Sequence, residues 1–302
     1  MPNIKYFKTL INHLNRVSQL DTFPTSQQIK NLGSVNQVYE LQTKNQAYIL
    51  RFNEAPEKVL EFKKEDWCLD QMISLGIPSP SVIYSGIYKD CPYQILQKLP
   101  GKNGSLLSEY TQLYIWEKLG QYARQFHQIQ SFQEVELQQA EFHEDWKARL
   151  HYNLQELNVL DPLLQNGVLK KAEHQDLRSY LEKLLDKNFQ TGLVHGDLCP
   201  RNTILDADEV YLIDWGTARI DVVPHLELGQ IMRNEKTDPA VLEAFLNGYE
   251  LSDQGFQNII VEIQLLDMLH MVDVYRWALS HAPEQIKRYE QGVRTSLQGL
   301  VA

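Results

Sequence analysis

Cysteine is scarce in this chain: Cys68, Cys91 and Cys199 are its three cysteines, widely spaced and with no Cys-x-x-Cys. A disulfide framework and structural zinc are therefore not expected, and the pattern fits reduced thiols in a cytosolic protein. Long apolar runs are also missing. Nowhere do the ~20 consecutive apolar residues of a membrane-spanning helix occur. Near the N-terminus, Ile4, Phe7, Ile11 and Leu14 are separated by Lys5, Lys8, Asn12 and Asn15. They form one face of an amphipathic helix rather than a secretory leader, so the chain reads as cytoplasmic with no membrane partner. Positive charge is the third shortage, with 29 Lys and Arg against 39 Asp and Glu and a formal charge of −10. Such a field does not attract a phosphate backbone, so no nucleic-acid partner is expected. The basic doublets Lys63-Lys64 and Lys170-Lys171 are too short to change that.

What is present is a globular composition, 43% apolar over 302 residues, enough for one large or two modest domains. After a polar connector at 21–26, the runs Val35 to Leu41 and Ala47 to Phe52 flank Thr43-Lys44-Asn45-Gln46 and read as a hairpin. From Pro56 to Leu75 the period becomes helical, with Gly76 as a stop signal before Pro78 and Pro80. Residues 81–88 and 93–96 read as further strands. Leu99 to Ser105 is a breaker cluster and the candidate hinge. Beyond it the pattern is mainly helical, at about 109–130, 141–158, 169–187, 238–250, 255–281 and 283–298. The exception is 192–220, where short apolar runs alternate with polar turns.

That exception carries the chemistry. His195-Gly196-Asp197-Leu198-Cys199-Pro200-Arg201-Asn202 is followed by Leu212-Ile213-Asp214-Trp215-Gly216. Asp197 can accept a proton from a hydroxyl, Asn202 offers a neutral oxygen ligand, and Asp214 an anionic one. Few hard oxygen donors, completed by water and phosphate, suit Mg²⁺. Phosphoryl transfer depends on such a set, because metal and positioning stabilise the charge that develops on phosphate oxygens. As turn-formers, Asp197 and Asn202 also have an ordinary structural reading.

In order and spacing, this segment resembles the aminoglycoside phosphotransferase and choline kinase family, the small-molecule branch of the protein-kinase-like fold. The resemblance covers roughly residues 28–280 and implies an α+β, two-lobed architecture. A small antiparallel-sheet lobe at 1–98 would bind the nucleotide, and a mainly helical lobe at 99–302 would hold the catalytic loop and acceptor. It implies ATP or GTP and Mg²⁺ as cofactors, Asp197 as catalytic base, and Asn202 and Asp214 as metal ligands. Leu32 to Tyr39 is similar to the family's phosphate-covering turn, which would make Gly33, Ser34 and Asn36 nucleotide-binding residues. Arg51 occupies the place of the strand cation and Glu65 that of its helix partner. Gln94 to Gly101 resembles the adenine hinge, with Gln97 and Leu99 at the base. Two positions depart from the pattern: Cys199 stands where the family often has His, and Arg201 where it often has a small residue.

On the helix expected at 255–281, Val261, Leu265, Met268, Val272, Tyr275 and Leu279 form a core stripe at steps of four and three. Asp267, His270, Asp273 and Trp277 share the opposite side, which is either a solvated face with a capping Trp or a wall of the acceptor pocket. The expected function is transfer of a nucleotide γ-phosphate to a hydroxyl of a small, cationic or amino-bearing acceptor, such as an aminoglycoside, choline or ethanolamine, or a thiamine-like compound. The alternative is a catalytically silent nucleotide-binding or scaffold protein with the same fold. The sequence does not specify an oligomeric state.

Overall fold

A computed structural model describes residues 4–17, 20, 22–29, 36–140, 142–143, 145–234 and 238–301. The chain begins with α1 (Ile4–Val17), β1 (Thr25–Gln28), β2 (Gln37–Gln42), β3 (Ala47–Phe52), α2 (Val59–Ser74), β4 (Val82–Tyr88), β5 (Cys91–Gln97) and β6 (Lys102–Asn103). Next come α3 (Glu109–Phe126), α4 (Val135–Gln139), α5 (Trp146–Glu156), α6 (Pro162–Gln165), α7 (Lys171–Glu182) and β7 (Thr191–Val194). It ends with β8 (Thr203–Asp206), β9 (Glu209–Leu212), β10 (Arg219–Val222), α8 (His225–Asn234), α9 (Pro239–Tyr249), α10 (Asp253–His281) and α11 (Ile286–Val301). The sheet-rich beginning and helical remainder make this the α+β architecture expected from the sequence. No helix among the described residues is long and apolar enough to cross a membrane.

Contacts divide the chain into two compact units. One comprises Met1–Ile115, Gln133–Ala140 and Cys199–Ala218; the other comprises Trp116–Phe132, Glu141–Leu198 and Arg219–Ala302. In the first, an antiparallel sheet runs in the order β1-β2-β3-β5-β4. Side chains alternate across a strand, so Tyr48, Leu50 and Phe52 of β3 enter one core cluster with Leu10 and Leu14 of α1. The N-terminal helix is thus a layer on this sheet, fixed further by the Tyr6 hydroxyl donating to the Tyr88 carbonyl at 3.0 Å. The same alternation puts Arg51 on the other face of β3, toward α2, whose Phe62 ring lies 6.0 Å from the guanidinium carbon. α2 stops where Gly76 takes a positive φ of 73°. There the Gly76 N–H bonds the Ile73 carbonyl at 3.0 Å and the Ile77 N–H the Met72 carbonyl at 2.9 Å, an arrangement that satisfies the last carbonyls of a helix.

The connector expected at 21–26 is in part a strand. Thr25 to Gln28 pair with Gln42 to Tyr39, yet their side chains are mostly exposed and polar. Backbone pairing at a sheet edge leaves no apolar alternation to detect. Within the candidate hinge, β6 pairs with β8.

In the second unit, α10 packs against α5, α7, α8 and α11. That environment revises the single core stripe. Leu265, Met268, Val272 and Tyr275 are buried, but Val261 is 51% exposed, and Phe256, Ile263, Leu266, Leu269 and Met271 are buried as well. A helix surrounded by others buries several faces. The helix expected from 141 starts at Trp146, because Asp145 caps it by accepting the Ala148 N–H at 2.9 Å. α8 was not anticipated at all.

Leu10 is fully buried whereas Lys5 on the same helix is exposed. Leu10→Ala should therefore cost roughly 2–4 kcal/mol in denaturant unfolding, and Lys5→Ala should fall within about 0.5 kcal/mol of the parent.

Candidate active site

Three of the expected side chains converge in the first unit. Arg51 contacts both carboxylate oxygens of Glu65, with Nη1 on Oε2 and Nη2 3.4 Å from Oε1, while Nη2 also donates to Asp214 Oδ1 at 3.1 Å. Arg51 and Glu65 are 11% and 3% exposed at their side chains, Asp214 45%. Burial pushes the Glu65 carboxyl up from its ordinary value, while on Arg51 burial works against the charge but the Glu65 and Asp214 carboxylates outweigh it and raise its pKa. The same desolvation strengthens their attraction, and a guanidinium on both carboxylate oxygens makes the pair ionic. Losing one member of such a pair costs about 3–5 kcal/mol, because the other charge stays buried.

Asn202 and Asp214 come together through the β8–β9 hairpin. Asn202 immediately precedes β8 and Ile213-Asp214 follow β9, so antiparallel pairing returns the second segment beside the first, and the Ile213 N–H donates to the Asn202 carbonyl at 3.0 Å. Asn202 is buried. Asp214 has φ 67° and ψ 65°, a left-handed conformation, and opens a single 3-10 turn at Trp215–Thr217. That conformation costs an L-residue roughly 1 kcal/mol, Asp somewhat less, and is kept where surroundings enforce it. A neutral amide oxygen and a carboxylate at the two ends of one hairpin form a hard donor set of the kind Mg²⁺ takes alongside phosphate and water.

The other nucleotide-site expectations are distributed as follows. Asn36 accepts a hydrogen bond at Oδ1 from Asn53 Nδ2 at 3.0 Å, beside the strand that carries Arg51. Gln97 ends β5, where its N–H bonds the Ser81 carbonyl at 2.9 Å, and Leu99 follows, half-buried. Gly33 and Ser34 lie outside the described residues.

Asp197 belongs to the second unit, half-buried after a fully buried His195. Gly196 between them has φ 77°, a conformation that favours glycine. The loop is held by α8: Glu227 Oε1 accepts the His195 N–H at 2.7 Å and the Gly196 N–H at 3.1 Å, while Gln230 Nε2 donates to the Gly196 carbonyl at 2.7 Å. Sequence reasoning missed Glu227. Its one available signal was a Glu among Leu226, Leu228 and Ile231 just after Pro224. Full burial raises the Glu227 carboxyl to about 7, despite the two N–H donors, and the nearby Asp197 charge adds to the shift. Oε2 has no hydrogen-bond partner, which leaves it as the proton's position.

The four candidates on α10 are engaged by different neighbours. Asp267 pairs with Arg233 and accepts from Ser296 Oγ at 2.8 Å, on the lining of a cavity of about 430 Å³ between α8, α10 and α11. His270 lines an adjoining space of about 20 Å³ together with Asp267, Arg149, Asp221 and Arg233. Burial first, then the charges of Arg233, Arg149 and Arg219, lower its pKa to about 3. Asp273 accepts from Asn153 Nδ2 at 2.9 Å, within a buried network that continues through Arg276 to Asp161. Trp277 is 50% exposed and stacks on His281 with ring centroids 5.2 Å apart.

A family model described as phosphotransferase enzyme family matches residues 28–258. Among curated proteins, a probable serine/threonine-protein kinase BUD32 homolog of Archaeoglobus fulgidus is 23% identical over 115 residues, 36% of this chain and 58% of that protein. A probable bifunctional tRNA threonylcarbamoyladenosine biosynthesis protein of Methanosarcina barkeri is 22% identical over 120 residues, 37% of this chain and 22% of that one. The chain thus spans less than two thirds of either relative. Among solved structures, the GDP and kanamycin complex of APH(2")-IIia superposes with a TM-score of 0.68 at 14% identity, covering 97% of this chain and 99% of that one. The choline kinase LicA from Streptococcus pneumoniae gives 0.62 at 16% identity, covering 98% and 99%. The amicoumacin kinase hAmiN, in complex with AMP-PNP, Ca²⁺ and Ami, gives 0.64 at 16% identity, covering 96% and 95%. At these identities the likeness shows the fold.

Glu227 yields a pH prediction. A carboxyl at about 7 in the folded chain and 4.5 as its ordinary value stabilises the fold fully below pH 4.5 and loses that contribution as pH rises through 7, because the unfolded state ionises first. Relative to Glu227→Gln, the wild type should lose about 3 kcal/mol between pH 4.5 and 7.5. Urea unfolding of both proteins at each pH checks this; parallel pH profiles would show that Glu227 is already ionised in the fold.

Proposed function

The chain belongs to the phosphotransferase enzyme family, and from that premise we propose that it transfers the γ-phosphate of ATP or GTP to a hydroxyl of a small molecule. The observation that carries this reading is the buried Arg51–Glu65 pair with Asp214 on the same guanidinium. A cation kept rigid by one carboxylate is suited to bind α- and β-phosphates, and Asp214 is then available to a metal ion. Asn202 and Asp214 would hold Mg²⁺. When bound, Mg²⁺ supplies positive charge that neutralises the phosphates. Asp197 orients the acceptor hydroxyl and takes its proton as the oxygen bonds to the γ-phosphorus and the bond to the bridging oxygen breaks, releasing the nucleoside diphosphate. Glu227 and Gln230 hold the Asp197 loop through its backbone.

For the acceptor, we propose a cationic or amino-bearing alcohol: an aminoglycoside, choline or ethanolamine, or a thiamine-like compound. Support comes from the net charge of −10, from the kanamycin bound by one structural neighbour and from the choline kinase that is another. The carboxylates of α10 add little, because Asp267 is engaged by Arg233 and Ser296 and Asp273 by Asn153.

A panel of hydroxyl acceptors assayed with ATP and with GTP tests the reading. Asp197→Asn should lower turnover by roughly 10²–10⁴-fold with nucleotide binding nearly intact, whereas Asp214→Ala should weaken binding of the Mg-nucleotide itself. Nucleotide binding without turnover on any acceptor would favour the silent scaffold, and unchanged rates in both variants would remove the assignment.

A further inference from the structure

Lys64 has no part in the chemistry above, yet its side chain is among the most buried charged groups in the chain. The residue is 3% exposed, an environment a lysine occupies only with strong partners. Its Nζ donates to the carbonyl oxygen of Gly216 at 2.7 Å. Gly216 lies two residues beyond Asp214, inside the 3-10 turn that Asp214 opens. Lys64 also immediately precedes Glu65 on α2.

Consecutive helical residues point about 100° apart, so a helix that sends both side chains into one turn is fixed in rotation about its own axis. Glu65 reaches that turn through Arg51, which bonds Asp214 at 3.1 Å. Lys64 reaches it through the Gly216 backbone. The two links differ chemically. The Arg51–Asp214 contact joins two side chains that, on the proposed function, are needed by phosphate and metal, and it must yield when they bind. The Lys64–Gly216 contact uses a backbone oxygen that no ligand claims, and it can persist. Arg51 and Lys64 balance Glu65 and Asp214, so the group is electroneutral as it stands. Asp214 keeps a left-handed conformation, which needs support from the residues around it.

We propose that Lys64 is a positioning residue: it anchors the Asp214–Gly216 turn to α2, so that the rotation of α2 sets how the Asp214 carboxylate is presented to Mg²⁺. This rests on the phosphotransferase reading for its functional half. Its structural half concerns the chain's own residues.

The test uses Lys64→Met and Lys64→Arg in the full chain, with two readouts. In ligand-free protein, amide hydrogen exchange across residues 213–218 should be at least ~10-fold faster in Lys64→Met and close to wild type in Lys64→Arg, as expected for loss of a hydrogen bond from a charged donor. In phosphoryl transfer at saturating nucleotide, Lys64→Met should raise the Mg²⁺ concentration for half-maximal rate by about tenfold, while the nucleotide KM at saturating Mg²⁺ stays within about twofold. Should Lys64→Met not fold, Lys64→Gln, a neutral donor one bond shorter, should show the same effects at smaller size. Unchanged exchange would overturn the anchor, and faster exchange with unchanged Mg²⁺ dependence would overturn its link to the metal site. A wild type whose binding and turnover are indifferent to Mg-nucleotide would instead defeat the phosphotransferase reading, and the exchange data would still decide the anchor.

Discussion

A charge buried in protein must be matched, and the Arg51–Glu65 ion pair is the point at which this requirement organises the first unit. Arg51 sits on a strand whose neighbouring residues, Leu50 and Phe52, face the α1 core. The pleat therefore forces the guanidinium to the opposite side, toward α2. Glu65 answers it at the cost of its own desolvation. Once the pair forms, β3 and α2 are held in a fixed register, and a further N–H of the guanidinium reaches Asp214. The geometry of the Arg51–Glu65–Asp214 cluster follows from one electrostatic constraint imposed by strand alternation.

The same economy governs the loops that carry the polar chemistry. A short hairpin returns Asp214 beside Asn202, so two oxygen donors twelve positions apart need no further element to bring them together. In the second unit, α8 holds the Asp197 loop. A carboxyl and an amide on α8 bond its backbone. The burial that this backbone anchoring requires pushes the Glu227 carboxyl up to about 7.

Much of this was legible in the sequence because it rests on local signals. Apolar alternation located β2 and β3, helical periodicity and Gly76 located α2, and the spacing of Asp197, Asn202 and Asp214 located the loops. What escaped depends on tertiary partners. β1 has polar, exposed side chains and exists only because β2 offers hydrogen bonds. α8 is short, ten residues from His225 to Asn234, and Glu227 was missed with it. On α10, the expected single stripe leaves out Phe256, Ile263, Leu266, Leu269 and Met271, which are buried because the helix is surrounded on several sides. The acidic side of that helix illustrates the same limit: sequence shows Asp267 and Asp273 as unmatched charges, whereas the fold supplies Arg233 and Asn153.

The central claim is that the Arg51–Glu65–Asp214 cluster is built to receive a Mg-nucleotide. Calorimetric titration of the wild type and of Arg51→Met with a non-hydrolysable ATP or GTP analogue, with and without Mg²⁺, tests it most directly. The account predicts binding by the wild type that strengthens at least ~10-fold with Mg²⁺ and is largely lost in Arg51→Met, since a phosphate contact to a desolvated guanidinium is among the stronger hydrogen bonds. Equal affinity with and without Mg²⁺, and in the presence or absence of the Arg51 charge, would contradict it.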